Sequence, residues 1–127
     1  MNIPRPGWPV RGSRSGRPVM ALLDLLGRRM ALRILWELSR AEAPLTFRAL
    51  QHAAGTNPAL LNGRLKELRA ARLVVHQGDG YTLSADGQAL VELLRPIGEW
   101  ARRWAVALAR QPATQRSKKT LSQARAL

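Results

Sequence analysis

The sequence contains no cysteine. This absence excludes disulfide bonds, thiolate ligands to metals and thiol-based sensing of oxidants. Only two histidines are present, His52 and His76, and two imidazoles alone do not complete a typical zinc site. We therefore expect no metal ion and no other cofactor.

Long hydrophobic runs are also missing, since no apolar stretch approaches the ~18 residues that a transmembrane helix needs. The first residues carry proline and arginine where a signal peptide would carry an apolar segment. The sequence also shows no Ser/His/Asp set, no glycine-rich phosphate loop and no paired carboxylates typical of a catalytic cleft. These absences predict a cytoplasmic protein with no membrane partner, no catalytic residues and no enzymatic activity.

Acidic residues are scarce, with 8 against 21 lysines and arginines, which gives a net charge of +13. Such an excess favours a polyanionic partner but says nothing about the fold. Residues 1–20 and 111–127 each hold four basic residues and no acid, so much of the charge lies near the ends. Their composition predicts a disordered basic arm over 1–16 and a disordered basic tail over 111–127.

Between the arm and the tail, residues 17–110 are expected to form one folded domain, mainly α-helical with a small β-hairpin. The apolar positions of this region recur at helical spacing, interrupted by turn residues. The expected helices lie near 18–26, 29–40, 46–53, 58–71 and 85–110. Pro96 is expected to kink the last helix or to split it in two.

Residues 44–84 have the layout of a winged helix-turn-helix. Thr46 is suited to open one short helix, and Asn57 with Pro58 is suited to cap and begin the next. Two short apolar strands then flank the turn at 77–80, where Asp79 followed by glycine is a strong turn pair. A helix able to enter the major groove beside a hairpin is typical of DNA-binding proteins.

Several segments resemble the HxlR-type winged-helix transcriptional regulators, which are relatives of the MarR group. The resembling segments are Pro18-Val19, Leu-Asp-Leu-Leu-Gly at 23–27, Ala31 to Leu38, Leu45 to Gln51, Asn57 to Leu68 and Tyr81 to Gly87. The resemblance implies a bacterial, dimeric DNA-binding regulator whose first and last helices form the dimer interface.

Three positions depart from the family pattern. Arg17 stands where the family commonly has a cysteine, the wing is short, and Arg72 replaces the usual glycine after the recognition helix. A left-handed arginine would cost ~1 kcal/mol or more, so this helix end is expected to close differently. The short wing keeps a generic MarR- or ArsR-like winged helix as the alternative assignment.

The second helix of the motif is expected to read DNA, because Leu61, Leu65 and Leu68 share its inward face. Asparagine can pair with adenine in two places, lysine can reach guanine or phosphate, and arginine can hold phosphates. A solvated polar face is the alternative interpretation. The expected DNA-binding residues are Thr46, Arg48, Asn57, Ala59, Asn62, Gly63, Arg64, Lys66 and Gln77.

The last helix carries apolar residues at alternating spacings of four and three, which is typical of a helix seam that pairs with another helix. The apolar first helix is expected to join it in a dimer interface. The expected interface residues are Leu22, Leu26, Leu90, Leu94, Ile97, Trp100, Ala101, Trp104 and Leu108.

These features predict a homodimeric, sequence-specific transcriptional regulator that binds double-stranded DNA at promoters and is associated with the nucleoid. One alternative is a non-specific or architectural nucleic-acid-binding protein driven by the basic ends. Another is a winged helix used for protein–protein contact. The sequence leaves room for a small-molecule effector but does not identify one.

Overall fold

The computed structural model describes residues 3–110. Five helices and three short strands form the winged helix-turn-helix fold that the sequence predicts. They follow the order α1 (Pro18–Leu26), α2 (Ala31–Arg40), β1 (Leu45–Thr46), α3 (Phe47–Ala54), α4 (Pro58–Ala70), β2 (Val74–Gln77), β3 (Gly80–Leu83) and α5 (Ala85–Ala109). The chain divides into two compact units, one ending at Val91 and the other beginning at Glu92.

Side-chain caps fix where the helices begin. The Thr46 hydroxyl accepts a hydrogen bond from the backbone N–H of Ala49 at 3.1 Å. The Asn57 side-chain oxygen accepts one from the N–H of Leu60 at 2.8 Å. Each cap satisfies a backbone donor that has no partner inside its helix. The helix starts expected at these two residues are confirmed.

The sheet has one strand more than the sequence predicts. Its strands are antiparallel in the order β1-β3-β2. Leu45 pairs with Tyr81 in β3, whereas the sequence assigned Leu45 only to the approach to α3. A strand of two residues shows no alternation of apolar and polar positions, so no periodic signal could reveal it.

The hairpin between β2 and β3 turns through Gly78 and Asp79, because Gln77 pairs with Gly80. Gly78 has a φ of 63° and supplies the positive φ at the first central position of a type II′ turn. The sequence placed Asp79 and Gly80 together as the turn pair. Asp79 does lie in the turn, but Gly80 begins β3, where an added Cβ would lie 2.8 Å from the Cβ of Pro44.

The core lies among α1, α2, α3, α4, the sheet and the start of α5. Leu61, Leu65 and Leu68 of α4 are almost fully buried, as their spacing predicts. The buried apolar cluster consists of Leu25, Leu26, Ile34, Leu35, Leu38, Leu50, Leu61, Leu65, Leu68, Leu73, Val74, Leu83 and Val91. Because the three leucines fix the rotation of α4, the opposite side of this helix faces away from the core.

The end of α4 corrects the expectation that Arg72 would force a different closure. Arg72 has a φ of 64°, in the left-handed region that glycine normally occupies. The N–H of Leu73 donates to the carbonyl of Leu68 at 3.0 Å, and that of Arg72 donates to the carbonyl of Arg69 at 2.9 Å. This pair of bonds is a Schellman motif. The usual helix end is therefore kept, with a strained arginine in place of glycine.

Two further expectations differ from the structure. α5 is a single helix that contains Pro96, so the alternative that this proline splits it is wrong.

Part of the arm expected to be disordered over 1–16 has a defined path. In this part the N–H of Gly7 donates to the carbonyl of Gly16 at 2.8 Å, and Arg11 lies 3.6 Å from Asp24. The expected tail, 111–127, lies outside the described residues. Within 3–110, no helix is both long enough and apolar enough to cross a membrane.

Candidate nucleic-acid interface

The side of α4 that faces away from the core is exposed and largely polar. Asn57, Ala59, Asn62 and Lys66 are all exposed along it. The side-chain oxygen of Asn57 is engaged in capping the helix, so its amide N–H groups are what remain for a ligand. Asn62 makes no side-chain hydrogen bond within the described residues and keeps both its donor and its acceptor, as pairing with adenine requires.

Gly63 lies beside Asn62 on α4. A Cβ built at this position would meet no atom within 4 Å. Packing within the protein therefore does not require a glycine here. Because Gly63 has no side chain, the backbone of α4 is open to another molecule at this position, next to Asn62 and Lys66.

Arg64 has a role that the sequence did not predict. Its Nε donates to the carbonyl of Arg29 at 2.8 Å, and its Nη1 donates to both carboxylate oxygens of Glu67 at 2.9 Å. Arg28 adds a second ion pair to Glu67 at 3.0 Å. Through its Nε and Nη1 atoms the guanidinium thus ties α4 to the loop between α1 and α2.

Three further residues expected to contact DNA, Thr46, Arg48 and Gln77, lie at the surface. Arg48 is exposed and makes no ion pair within residues 3–110. It borders a polar cleft of about 300 Å³ together with Gln51, His52, Gly55 and Thr56. Thr46 is exposed, but its hydroxyl caps α3. Gln77 is exposed at the end of β2, next to the turn of the wing.

Sequence reasoning missed two basic groups that the structure brings next to Lys66. An open cleft of about 620 Å³ is lined by Lys66, Arg69, Ala70, Val74, Val75 and His76. Arg69 follows Lys66 by three residues and so projects from the same side of α4. That spacing was the available signal for Arg69. His76 comes from β2, and only the fold reveals its proximity.

No known family model matches this chain. The chain is 26% identical over 90 residues to an uncharacterized HTH-type transcriptional regulator of Methanocaldococcus jannaschii, covering 67% of this chain and 83% of that protein. The crystal structure of quinone-bound YodB from B. subtilis superposes with a TM-score of 0.61 at 28% identity, covering 67% of this chain and 94% of YodB.

A possible HxlR family transcriptional factor from Thermoplasma volcanium superposes with a TM-score of 0.59 at 23% identity. The match covers 66% of this chain and 81% of that one, and at this identity it bears on the fold alone. The chain has a winged helix-turn-helix fold similar to that of this HxlR family factor. The resemblance expected from its sequence is thus supported by the fold, and α4 occupies the position of the second helix of the motif.

Helix α5 also exposes apolar surface. The exposed fraction is 73% for Leu93, 57% for Ile97, 55% for Trp100 and 53% for Trp104. Trp100 and Trp104 stack with their ring centroids 5.9 Å apart. Leu108 is exposed, whereas Leu94 and Ala101 are half-buried. Leu93 was not among the expected interface residues, although it is the most exposed of the large apolar side chains.

The contribution of α1 differs from the expectation. Leu26 is only 7% exposed and belongs to the core, so its assignment to a surface interface is corrected. Leu22 and Leu90 are half-buried and pack against the same core. The exposed apolar residues of α1 are instead Val19 and Leu23, each 55% exposed. Helical spacing alone does not tell which side of a helix that is apolar on most sides faces inward.

Proposed function

We propose that this protein is a sequence-specific DNA-binding transcriptional regulator that acts at promoters, with α4 as its recognition helix. The observation that carries the proposal is the exposed polar face of α4, which lies opposite three buried leucines. Asn62 and Lys66 supply the groups that read base edges in a major groove. The proposed contacts also include Thr46, Arg48, Asn57, Ala59, Gly63 and Gln77. The sequence also placed Arg64 among these contacts, but we propose a structural role for it, because its Nε and Nη1 atoms donate to the Arg29 carbonyl and to Glu67.

The regulator is proposed to act as a homodimer. Leu93, Ile97, Trp100 and Trp104 expose apolar surface along one side of α5, at helical spacing. Val19 and Leu23 expose more on α1. Apolar surface of this kind favours association, and a two-fold dimer would present two copies of α4 to successive major grooves.

Repression by occupying a promoter is the simplest action for such a dimer, in the cytoplasm and in association with the nucleoid. YodB was crystallised with a bound quinone, but this chain has no cysteine. A quinone or an oxidant therefore has no thiol to modify here, and a regulatory ligand would have to bind without a thiol adduct.

Selection of bound sequences from a random DNA pool tests the proposal. A specific regulator enriches one motif, and binding to the recovered duplex then exceeds binding to a scrambled duplex of the same composition. Recovery of no motif would contradict the proposal. It would favour a second candidate, a non-specific or architectural binder, which the net charge of +13 supports.

Deleting the basic tail, residues 111–127, separates these two functions further. The deletion removes four positive charges and no negative charge. A specific regulator keeps its preference for the recovered duplex, because the preference comes from α4. An architectural protein loses most of its affinity on every duplex, because its binding depends on counterion release by basic residues.

A further inference from the structure

We propose that the cleft between α4 and β2 holds the DNA backbone that separates the major groove from the minor groove, through Lys66, Arg69 and His76. This inference rests on the proposed function and deepens it. Arg69 and His76 were not among the DNA-binding residues expected from the sequence.

The first argument is geometric. In the proposed complex α4 lies in the major groove and the hairpin lies beside it. The sugar–phosphate backbone separates the major groove from the minor groove. A protein that contacts both grooves must therefore pass over this backbone. The space available for the backbone is the cleft of about 620 Å³ between α4 and β2.

The second argument is chemical. Three of the residues that line the cleft are Lys66, Arg69 and His76, and none of its lining residues is acidic. Lys66 and Arg69 form no ion pair within the described part of the chain, in contrast to Arg28 and Arg64. Their charges are therefore available for phosphates, and backbone phosphates are the polyanion that such groups neutralise.

The third argument concerns the placement of His76. Its ring stacks on Tyr81, with the ring centroids 4.5 Å apart and an angle of 12° between the planes. This stacking holds the imidazole at one side of the cleft, and an imidazole N–H can donate a hydrogen bond to a phosphate oxygen. β2 is also an edge strand, so one row of its backbone groups has no strand partner.

The test measures binding of the full chain to the duplex recovered from the random pool and to its scrambled counterpart, across a salt series. Arg69→Gln is expected to lower the affinity for both duplexes by the same factor. It should also flatten the slope of log affinity against log salt by about one unit, because one phosphate contact is lost. His76→Phe keeps an aromatic ring to stack on Tyr81 but removes the imidazole N–H donor, and is expected to weaken binding to both duplexes equally.

Arg40→Gln is the matched control. Arg40 is exposed, its guanidinium lies 6.0 Å from the ring centroid of Trp36, and it does not line the cleft. This variant loses the same charge and should keep a larger share of the affinity than Arg69→Gln. Equal losses in the two variants would assign the effect to overall charge and would overturn the inference.

Single uncharged methylphosphonates locate the contact on the DNA. At the phosphate that Arg69 holds, the substitution weakens binding of the wild type and causes a smaller further loss in Arg69→Gln, because only Lys66 and His76 remain to contact that part of the backbone. If Arg69→Gln and His76→Phe both kept the affinity and the salt dependence of the wild type, the inference would be overturned while the proposed function stands. Failure of the wild type to prefer its recovered duplex would instead contradict the proposed function.

Discussion

Arg64 and Glu67 form a bidentate ion pair one turn apart on α4, with the Nη1 atom 2.9 Å from each carboxylate oxygen. Both side chains are largely shielded from solvent, with 20% and 14% of their surfaces exposed. Arg28 reaches the same carboxylate, and Arg64 also donates to the carbonyl of Arg29. The outward face of α4 therefore owes its position to a charge network as well as to the leucines beneath it.

Glu67→Gln should destabilise the protein by about 1–3 kcal/mol, because it leaves Arg28 and Arg64 without their shared charged partner. The free energy of unfolding in urea measures this loss. The control is Glu92→Gln in the exposed pair with Arg95, whose side chains are 66% and 51% exposed. Loss of that pair should cost under about 1 kcal/mol. Equal effects of the two variants would refute a structural role for the Arg64 network.

Arg72→Gly should stabilise the protein by about 1 kcal/mol, because glycine occupies the left-handed region without the steric strain of a side chain. The control is Ala71→Gly at the preceding residue, which has a φ of −79° and a ψ of 0°. There the substitution relieves no strain and makes the unfolded chain more flexible, so it should destabilise. Thermal unfolding of both variants shows whether the melting temperature rises in Arg72→Gly and falls in Ala71→Gly.

Gly87→Ala should destabilise the protein by about 1–3 kcal/mol, since its Cβ would approach the carbonyl oxygen of Leu73 far inside contact distance. Backbone lies on both sides of this contact, so no flexible side chain can move away. Gly98→Ala is the control within α5, because nothing lies within 4 Å of its added Cβ. That variant should be neutral or gain up to ~1 kcal/mol of stability from helix propensity.

Local signals explain which parts of the fold could be predicted. Thr46 and Asn57 are residues whose side chains cap helices without help from distant parts of the chain, and both were identified from sequence. The Arg64 side chain is held by Arg29 and the His76 ring stacks on Tyr81, and no local pattern reveals such partners. Leu26 was misplaced for a related reason, because α1 is apolar on most sides and only the packed fold selects the buried one.

Trp104→Glu should shift the protein from a dimer to a single chain of 14.1 kDa, measured by light scattering at micromolar concentration. An unpaired charge is costly in an apolar interface but not at a side chain that is 53% exposed in the protomer. The protomer should therefore keep its helical circular dichroism. Val106→Glu is the control, because Val106 is similarly exposed, at 49%, but lies on the opposite side of α5. Dissociation by both variants, or by neither, would contradict an interface on the Trp104 side.

Asn62→Ala should relax the preference for one base pair of the recovered duplex and cost roughly 1–3 kcal/mol there, if the amide pairs with a base in two places. It should leave binding to the scrambled duplex nearly unchanged, because Asn62 carries no charge to release counterions. If Asn62→Ala lost the same affinity on both duplexes, α4 would not read bases through Asn62.

Gly63→Ala tests the neighbouring position, where stability and specific binding are expected to change in opposite directions. It should raise the free energy of unfolding by up to ~1 kcal/mol, since an added Cβ meets no protein atom and alanine favours helix. It should at the same time weaken specific binding, because the methyl group would fill the low point of α4 that faces the DNA. A Gly63→Ala variant with higher stability and unchanged specific affinity would show that this glycine is only a tolerated weakness of the helix.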